Sequence, residues 1–155
     1  MQITVPMFEK GRCFVMAGGL VKAYEGHHFV YLHLLCQGLE CIGKSLLLAH
    51  DYYKYQPILR NDYCHDLEVL VAEVDRNAGS AFFSEAATRE LSGLNSFYKR
   101  HMLRYGDLMD FAKQSACLNA EHLHRELVAS LTELNQKFSD FEHDAQPGSP
   151  PDAAR

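Results

Sequence analysis

The densest group of basic residues in the sequence lies between two tyrosines. The residues of this segment are Tyr98, Lys99, Arg100, His101, Arg104 and Tyr105. Cationic side chains can hold phosphates and aromatic rings can stack on bases, so the segment is a candidate RNA contact, with Lys99, Arg100, Arg104 and Tyr105 as its binding residues. The alternative, which the net charge of −5 favours, places Lys99 and Arg100 on a solvated helix face and both tyrosines in the core.

Nine histidines and five cysteines raise the question of a metal ion. The closest combinations are His28 with His33, His33 with Cys36, and His122 with His124, and none of them has a third ligand at a convincing spacing. The sequence contains neither an H-E-x-x-H pattern nor a recognisable motif around a serine or cysteine nucleophile. We therefore expect no metal, no cofactor and no triad-type hydrolase chemistry.

One charged pair interrupts the longest apolar stretch of the chain, which runs from Phe29 to Ala49. Glu40 and Lys44 are four residues apart with the acid first, which is the favourable orientation for a pair on one helical face. Two interpretations remain open: a solvated surface pair, or a partly buried polar pair that fixes the register of the helix.

The helices that must position these residues follow from apolar spacing. A first helix is predicted over residues 7–25, and a second over 29–49 with a buried face at three- and four-residue steps. Gly38 and Gly43 should let a neighbouring backbone come close. Pro57 is expected to end the helical pattern, so that Arg60 falls in a loop before a third helix capped by Asn61 or Asp62.

The remaining helices are predicted from their caps and their apolar seams. The third helix should end at Asn77-Ala78-Gly79, and a fourth should begin at Ser84 and continue to Gly106. From Asn119 onward, leucines and phenylalanines form a heptad-like seam along a last helix. The sequence therefore predicts an all-α fold, an antiparallel bundle of about five helices.

A chain of 155 residues can bury the core of one domain. We expect a single helical domain over residues 1–144 and a disordered, proline-rich tail over residues 145–155. Five cysteines without a CxxC pair are typical of a reducing compartment, and the N-terminus lacks the pattern of a signal peptide. The polar residues of the second helix argue against a membrane span, so a cytoplasmic location is predicted.

Three segments in order along the chain resemble one known superfamily. They are LECIGKSLLL, RNDYCHDLEVL and LNSFYKRHMLRYGD. The residues that carry the resemblance are Glu40, Lys44, His65, Asp66, Leu67, Leu103, Arg104 and Tyr105. Over roughly residues 28–110, the chain is similar to bacterial proteins with a HEPN domain, which pair an E-x-x-x-K helix with a later H-D-L helix start and an L-R-Y segment. The resemblance implies a HEPN-like bundle.

The resemblance also implies a catalytic site. Catalytic HEPN ribonucleases use an arginine followed after four to six residues by a histidine, and the segment from Arg60 through Asn61 to His65 fits that pattern. The histidine would exchange a proton and the arginine would stabilise charge at phosphorus, with the RNA 2′-hydroxyl as nucleophile and no metal. Two copies of the motif face each other across a homodimer in catalytic members.

A structural interpretation of the same residues is the alternative, and the sequence favours it. Asp66 would then complement the dipole of the third helix, and His65 would hydrogen-bond a neighbouring turn. The expected function is accordingly either a metal-independent endoribonuclease of stress, toxin–antitoxin or defence biology, or a non-catalytic module that binds a protein partner such as an antitoxin, RNA or a nucleotide. A homodimer interface is expected along the last helix or the first two.

Overall fold

Seven α-helices follow one another in the computed structural model, which describes residues 4–61, 65–105 and 118–144. They are α1 (Thr4–Ala23), α2 (His28–His50), α3 (Tyr52–Asn61), α4 (Leu67–Ala78), α5 (Glu85–Tyr98), α6 (Met102–Tyr105) and α7 (Glu121–Asp144). The predicted all-α class is confirmed, and the described residues contain no strand. The predicted number of about five helices is too small, because the sequence pattern predicts neither α3 nor a separate α6. The expected tail over residues 145–155 lies outside the described residues.

The central helix is α2, which contacts α1, α3, α4, α5 and α6. Its residues Leu32, Cys36 and Leu39 are buried, as the apolar spacing predicts, and Leu35 and Ile42 are buried beside them. Within the described ranges it is the one helix whose length and composition would allow it to cross a membrane, a test that a soluble protein's core helix also passes. In this structure, 61% of its apolar window is buried against the rest of the chain.

The crossing of α1 and α2 depends on two glycines. A Cβ atom at Gly38 would lie 2.5 Å from Val15 Cγ2 and 3.0 Å from the Gly11 carbonyl oxygen, and a Cβ atom at Gly11 would lie 2.9 Å from the Gly38 carbonyl oxygen. All three distances are shorter than ordinary packing distances, so the two backbones can approach each other because neither residue has a side chain. The predicted close approach of a backbone at Gly38 is therefore confirmed. At Gly43, the nearest atoms belong to the side chain of Leu70 in α4 and not to a backbone.

Replacing Gly38 by alanine is expected to lower the free energy of unfolding by about 1–2 kcal/mol. Overpacking costs about 1–3 kcal/mol, and the better helix propensity of alanine offsets up to about 1 kcal/mol of that cost. Gly93→Ala in α5 is the matched control, since nothing lies within 4 Å of a Cβ atom there and the change should stabilise the protein. Urea unfolding of both variants gives the comparison, and equal shifts in the same direction would contradict the close-packing account.

The expectation that Pro57 ends the helical pattern is wrong, because Pro57 lies inside α3. Tertiary contacts on both sides of the proline hold this short helix in place. Tyr55 and Leu59 are buried, and the Tyr55 hydroxyl donates to the buried Glu73 of α4 at 2.7 Å and accepts from Asn77 at 2.7 Å. Burial and these hydrogen bonds outweigh the one backbone bond that proline removes.

The start of α4 also differs from the prediction. Asn61 is the last residue of α3, Asp62 lies outside the described residues, and the N-cap is Asp66, whose side chain accepts from the Val69 amide at 3.3 Å. The predicted end of this helix is confirmed, since Gly79 adopts a left-handed conformation with φ of 69° and its amide donates to the Asp75 carbonyl.

The predicted fourth helix is divided in two. It begins at the Ser84 cap, as expected, but α5 ends at Tyr98 and the chain turns through residues 99–101 before α6 begins at Met102. The last helix is confirmed, and its seam residues Leu123, Leu127 and Leu131 are buried. It packs along α5 and α1, so the apolar residues of the heptad-like seam are buried by other helices of the same chain.

Candidate functional site

A buried carboxylate in the middle of α2 is the centre of the polar residues that the fold brings together. Glu40 is 9% exposed and receives three hydrogen bonds. Lys44 donates to its Oε1 atom at 2.7 Å, and Tyr98 of α5 donates to its Oε2 atom at 2.6 Å. His65, in the turn before α4, places its Nδ1 atom 3.0 Å from the same Oε2 atom. Three elements of the bundle thus meet at one side chain.

The charge of Glu40 follows from these contacts. Burial alone would raise its pKa, but the hydrogen bonds from Lys44, Tyr98 and His65 and the charge of Lys44 together lower the pKa below its ordinary value. Glu40 is therefore ionised at neutral pH. Because the Glu40 and Lys44 side chains are only 11% and 16% exposed, the structure has the partly buried pair and not the solvated one.

The ionised Glu40 determines which nitrogen of His65 carries a proton. A carboxylate can only accept, so Nδ1 of His65 is the protonated nitrogen and donates to it. In the neutral ring Nε2 is then the basic nitrogen, and it has no hydrogen-bond partner within the described parts of the chain. The His65 side chain is 38% exposed, so Nε2 can meet solvent or a ligand. A carboxylate-oriented imidazole of this kind can exchange protons with a substrate.

Tyr98 is the buried member of the hydrogen-bond network around Glu40. It is 3% exposed and accepts a hydrogen bond from Gln37 at 2.7 Å while donating to Glu40. Burial and the Glu40 charge raise the pKa of Tyr98 far above its ordinary value, so it stays a neutral donor. This tyrosine therefore belongs to the core, as the alternative for the basic segment expected, and cannot stack on a base.

The N-terminus of α4 is held in place by a buried amide. Asn95 of α5 is fully buried, accepts from the Leu67 amide at 2.8 Å, and donates to Asp66 at 2.9 Å and to Glu68 at 2.7 Å. The N-cap and the free amides of α4 are thereby fixed to α5. Because His65 directly precedes Asp66, the same bonds fix the position of the imidazole.

The basic residues of the segment after α5 do not share one helical face, because the chain turns within it. The Lys99 ammonium group donates a hydrogen bond to the Asp66 carboxylate at 2.9 Å, and the Arg100 side chain donates to the Ser96 carbonyl oxygen at 2.7 Å. Arg104 is exposed on α6. The predicted RNA contact therefore lies at the turn between α5 and α6, and Lys99, Arg100 and Arg104 all have interactions within the chain.

Arg104 lies close enough to His33 of α2 to affect its charge. Burial lowers the pKa of His33, and the positive charge of Arg104 adds to this effect, while the Glu40 carboxylate opposes it. Its Nδ1 atom is buried without a hydrogen-bond partner among the residues that the structure describes. Arg104 thus borders the same group of residues as Glu40.

Lys44 is the one partner of Glu40 that the sequence predicted, and the patterns did not pair Glu40 with Tyr98 or His65. Gln37, His33 and His101 were not predicted as neighbours of this carboxylate. A signal was present, because His33, Gln37, Glu40 and Lys44 recur at steps of four, three and four residues, the spacing of one helical face within an apolar helix. A polar stripe of that length in a core helix indicates that polar groups from other helices meet it.

For three predicted site residues, the position of the side chain relative to Glu40 is not described. Arg60 and Asn61 are the last two residues of α3, and Tyr105 is the last of α6, but their side chains lie outside the described residues. The chain between Asn61 and His65 is outside them as well. The pairing of Arg60 with His65 therefore stays a prediction. Within the described ranges, no group of three histidine, cysteine or acidic side chains could hold a metal ion.

Comparisons with models of protein families, with curated proteins and with solved structures find no match to this chain.

Proposed function

We propose that the chain is a HEPN-type helical domain that cleaves RNA without a metal ion, with His65 as its proton-exchanging group. The observation that carries this proposal is the 3.0 Å contact between His65 Nδ1 and the buried Glu40, which leaves Nε2 of a partly exposed imidazole without a partner among the described residues. The segments on which the resemblance rests also meet in space, since Glu40 and Lys44 lie beside His65 and α6 packs against α2.

The chemistry needs only groups that the chain supplies. Attack of the RNA 2′-oxygen on phosphorus requires a proton to leave the nucleophile and another to reach the departing 5′-oxygen. Glu40 would stabilise the charged form of His65 during this exchange, as a carboxylate does for histidine in other acid–base sites. The guanidinium groups of Arg60 and Arg104 would stabilise the charge that develops on the phosphate oxygens.

The partner that we propose is a second copy of this chain in the cytoplasm. Met16 and Leu20 of α1 and the following Tyr24 lie four residues apart along one face and are 57%, 59% and 84% exposed. An apolar stripe of this kind is typical of a helix that packs against another protein. A homodimer through α1 would agree with the resemblance and with the expectation for the first two helices.

The test is the cleavage of single-stranded RNA by the purified protein, with and without a chelator of divalent cations. We expect cleavage at the same rate in both conditions and products that end in a 2′,3′-cyclic phosphate. Loss of activity on chelation would replace the proposal by a metal-dependent reaction. Intact RNA at high enzyme concentration would end the ribonuclease proposal.

A non-catalytic interaction module is the second candidate, and a separate observation favours it. Both carboxylate oxygens of Glu40 are satisfied, and Asn95 uses its oxygen and its amide group within the chain. A polar network that is closed in this way also serves to specify one packing of the helices. In that case the domain would bind a protein partner such as an antitoxin, RNA or a nucleotide through its surface, and purified protein would leave RNA intact.

A further inference from the structure

A second histidine lies directly beside His65. The ring centroids of His65 and His101 are 4.9 Å apart and the rings meet nearly edge to face, at 75°. His101 is exposed and lies in the turn between α5 and α6, on the side of the bundle where His65 is partly open to solvent. Two imidazoles in contact at the surface can act on one bound group.

The backbone of His101 is unfavourable for the residue that occupies it. Its φ angle of 58° lies in the left-handed region, where glycine and asparagine are preferred and other side chains are strained. The turn itself needs this conformation, since the His101 amide donates to the Tyr98 carbonyl at 2.9 Å and the Arg104 amide donates to the His101 carbonyl at 3.0 Å. Strained residues of this kind are frequent at functional sites, and the contact of the His101 ring with His65 places this one beside the candidate site.

We propose that His101 is a second catalytic residue, the base that complements His65 as the acid. This inference rests on the proposed ribonuclease function and adds to it that one chain supplies both proton-transfer groups. The contacts assign the roles: the Glu40 carboxylate lies against Nδ1 of His65, as it would in the doubly protonated ring of an acid, whereas no carboxylate contacts the His101 ring within the described residues.

The reaction balances without any further reactant. His101 takes the proton of the 2′-hydroxyl as its oxygen bonds to phosphorus, the bond from phosphorus to the 5′-oxygen breaks, and His65 gives its Nε2 proton to that oxygen. The products are a 2′,3′-cyclic phosphate and a 5′-hydroxyl. Each histidine ends in the protonation state in which the other began, and exchange with water restores both.

The test compares two substitutions at strained positions. His101→Asn is expected to lower the rate of RNA cleavage by about 100-fold or more, because a general base is lost, while the melting temperature stays the same or rises. Glu25→Asn is the matched control, since Glu25 also has a positive φ, of 52°, but lies beyond the end of α1. This variant should have a melting temperature that is equal or higher and should cleave at the wild-type rate.

A substrate with sulfur in place of the bridging 5′-oxygen separates the two roles. A thiolate leaves without a proton, so cleavage by His65→Ala should recover on this substrate, whereas cleavage by His101→Asn should not. Wild-type cleavage by His101→Asn, with His65→Ala inactive, would overturn this inference and leave the proposed function standing. Rescue of His101→Asn instead of His65→Ala would overturn the assigned roles, and a wild-type protein that cleaves no RNA would remove both proposals.

Discussion

Replacing His65 by alanine is expected to slow RNA cleavage by about 10²–10⁴-fold, the usual contribution of a positioned general acid or base. Little of this loss should come from unfolding, because the His65 side chain is 38% exposed and α4 keeps its own cap at Asp66. The measurement is the single-turnover rate at saturating enzyme, which is independent of substrate affinity. Circular dichroism would establish that the variant remains helical.

The chain contains a matched control for this substitution. His122 of α7 places its Nδ1 atom 2.9 Å from the Glu90 carboxylate and is 44% exposed, so its geometry and exposure are close to those of His65. It lies at the start of α7, where Glu90 also accepts from the Leu123 amide. His122→Ala should retain wild-type cleavage. Equal losses in both variants, or no loss in His65→Ala, would contradict the role of His65.

The elements that the sequence predicted well are those whose signals are local. The buried face of α2 follows from three- and four-residue spacing, and the cap residues Gly79 and Ser84 stand where the structure ends α4 and begins α5. Such signals involve residues within one or two turns of each other, so they can be recognised without knowledge of the neighbouring helices. The seam of α7 was recognised for the same reason.

The errors arose where a contact from another helix overrides a local preference. Pro57 argues against a helix, yet Tyr55 anchors α3 on Glu73 of α4, eighteen residues away. Asn61 is a good cap by type, but Asn95 of α5 fixes the helix start at Asp66. In each case the deciding partner lies in a different element, and no local rule can identify it.

The candidate site was predictable only in its components. Glu40, Lys44 and His65 were singled out from the sequence, but their common hydrogen-bond network was not, because His65 is 25 residues from Glu40 and Tyr98 is 58 residues away. The pairing depends on how α2, α4 and α5 pack. The interruption of an apolar helix by Glu40 and Lys44 was the part of the site that could be recognised in advance.

The substitution with the largest expected effect on stability is Glu40→Gln, in the middle of the apolar helix α2. Glu40→Gln keeps the shape of the side chain but removes the charge that compensates Lys44, whose side chain is only 16% exposed. Glu40 accepts from Lys44, Tyr98 and His65, and removing the charge at the centre of such a buried ionic network costs about 3 kcal/mol or more. We therefore expect a loss of about 3 kcal/mol in the free energy of unfolding at pH 7, measured by urea denaturation.

An exposed pair of similar geometry provides the control. Lys22 and Glu121 are 2.6 Å apart, but Glu121 is 60% exposed, and such pairs contribute about 1 kcal/mol or less. Glu121→Gln should therefore have a small effect in the same measurement. Comparable losses in the two variants would show that burial does not determine the contribution of Glu40.

The pH dependence of the Glu40→Gln effect follows from the lowered pKa of Glu40. Burial opposes this shift, but the bonds from Lys44, Tyr98 and His65 outweigh it, so the folded-state pKa lies below the ordinary value of 4.5. The carboxylate therefore contributes its full stability above pH 4.5 and loses it as the pH falls through the folded-state value. Asp66, whose pKa is also lowered, is present in both proteins and cancels from the difference. The stability difference between wild type and Glu40→Gln should shrink on acidification below 4.5. A difference that is the same at every pH would mean that the lost stability does not come from the charge of Glu40.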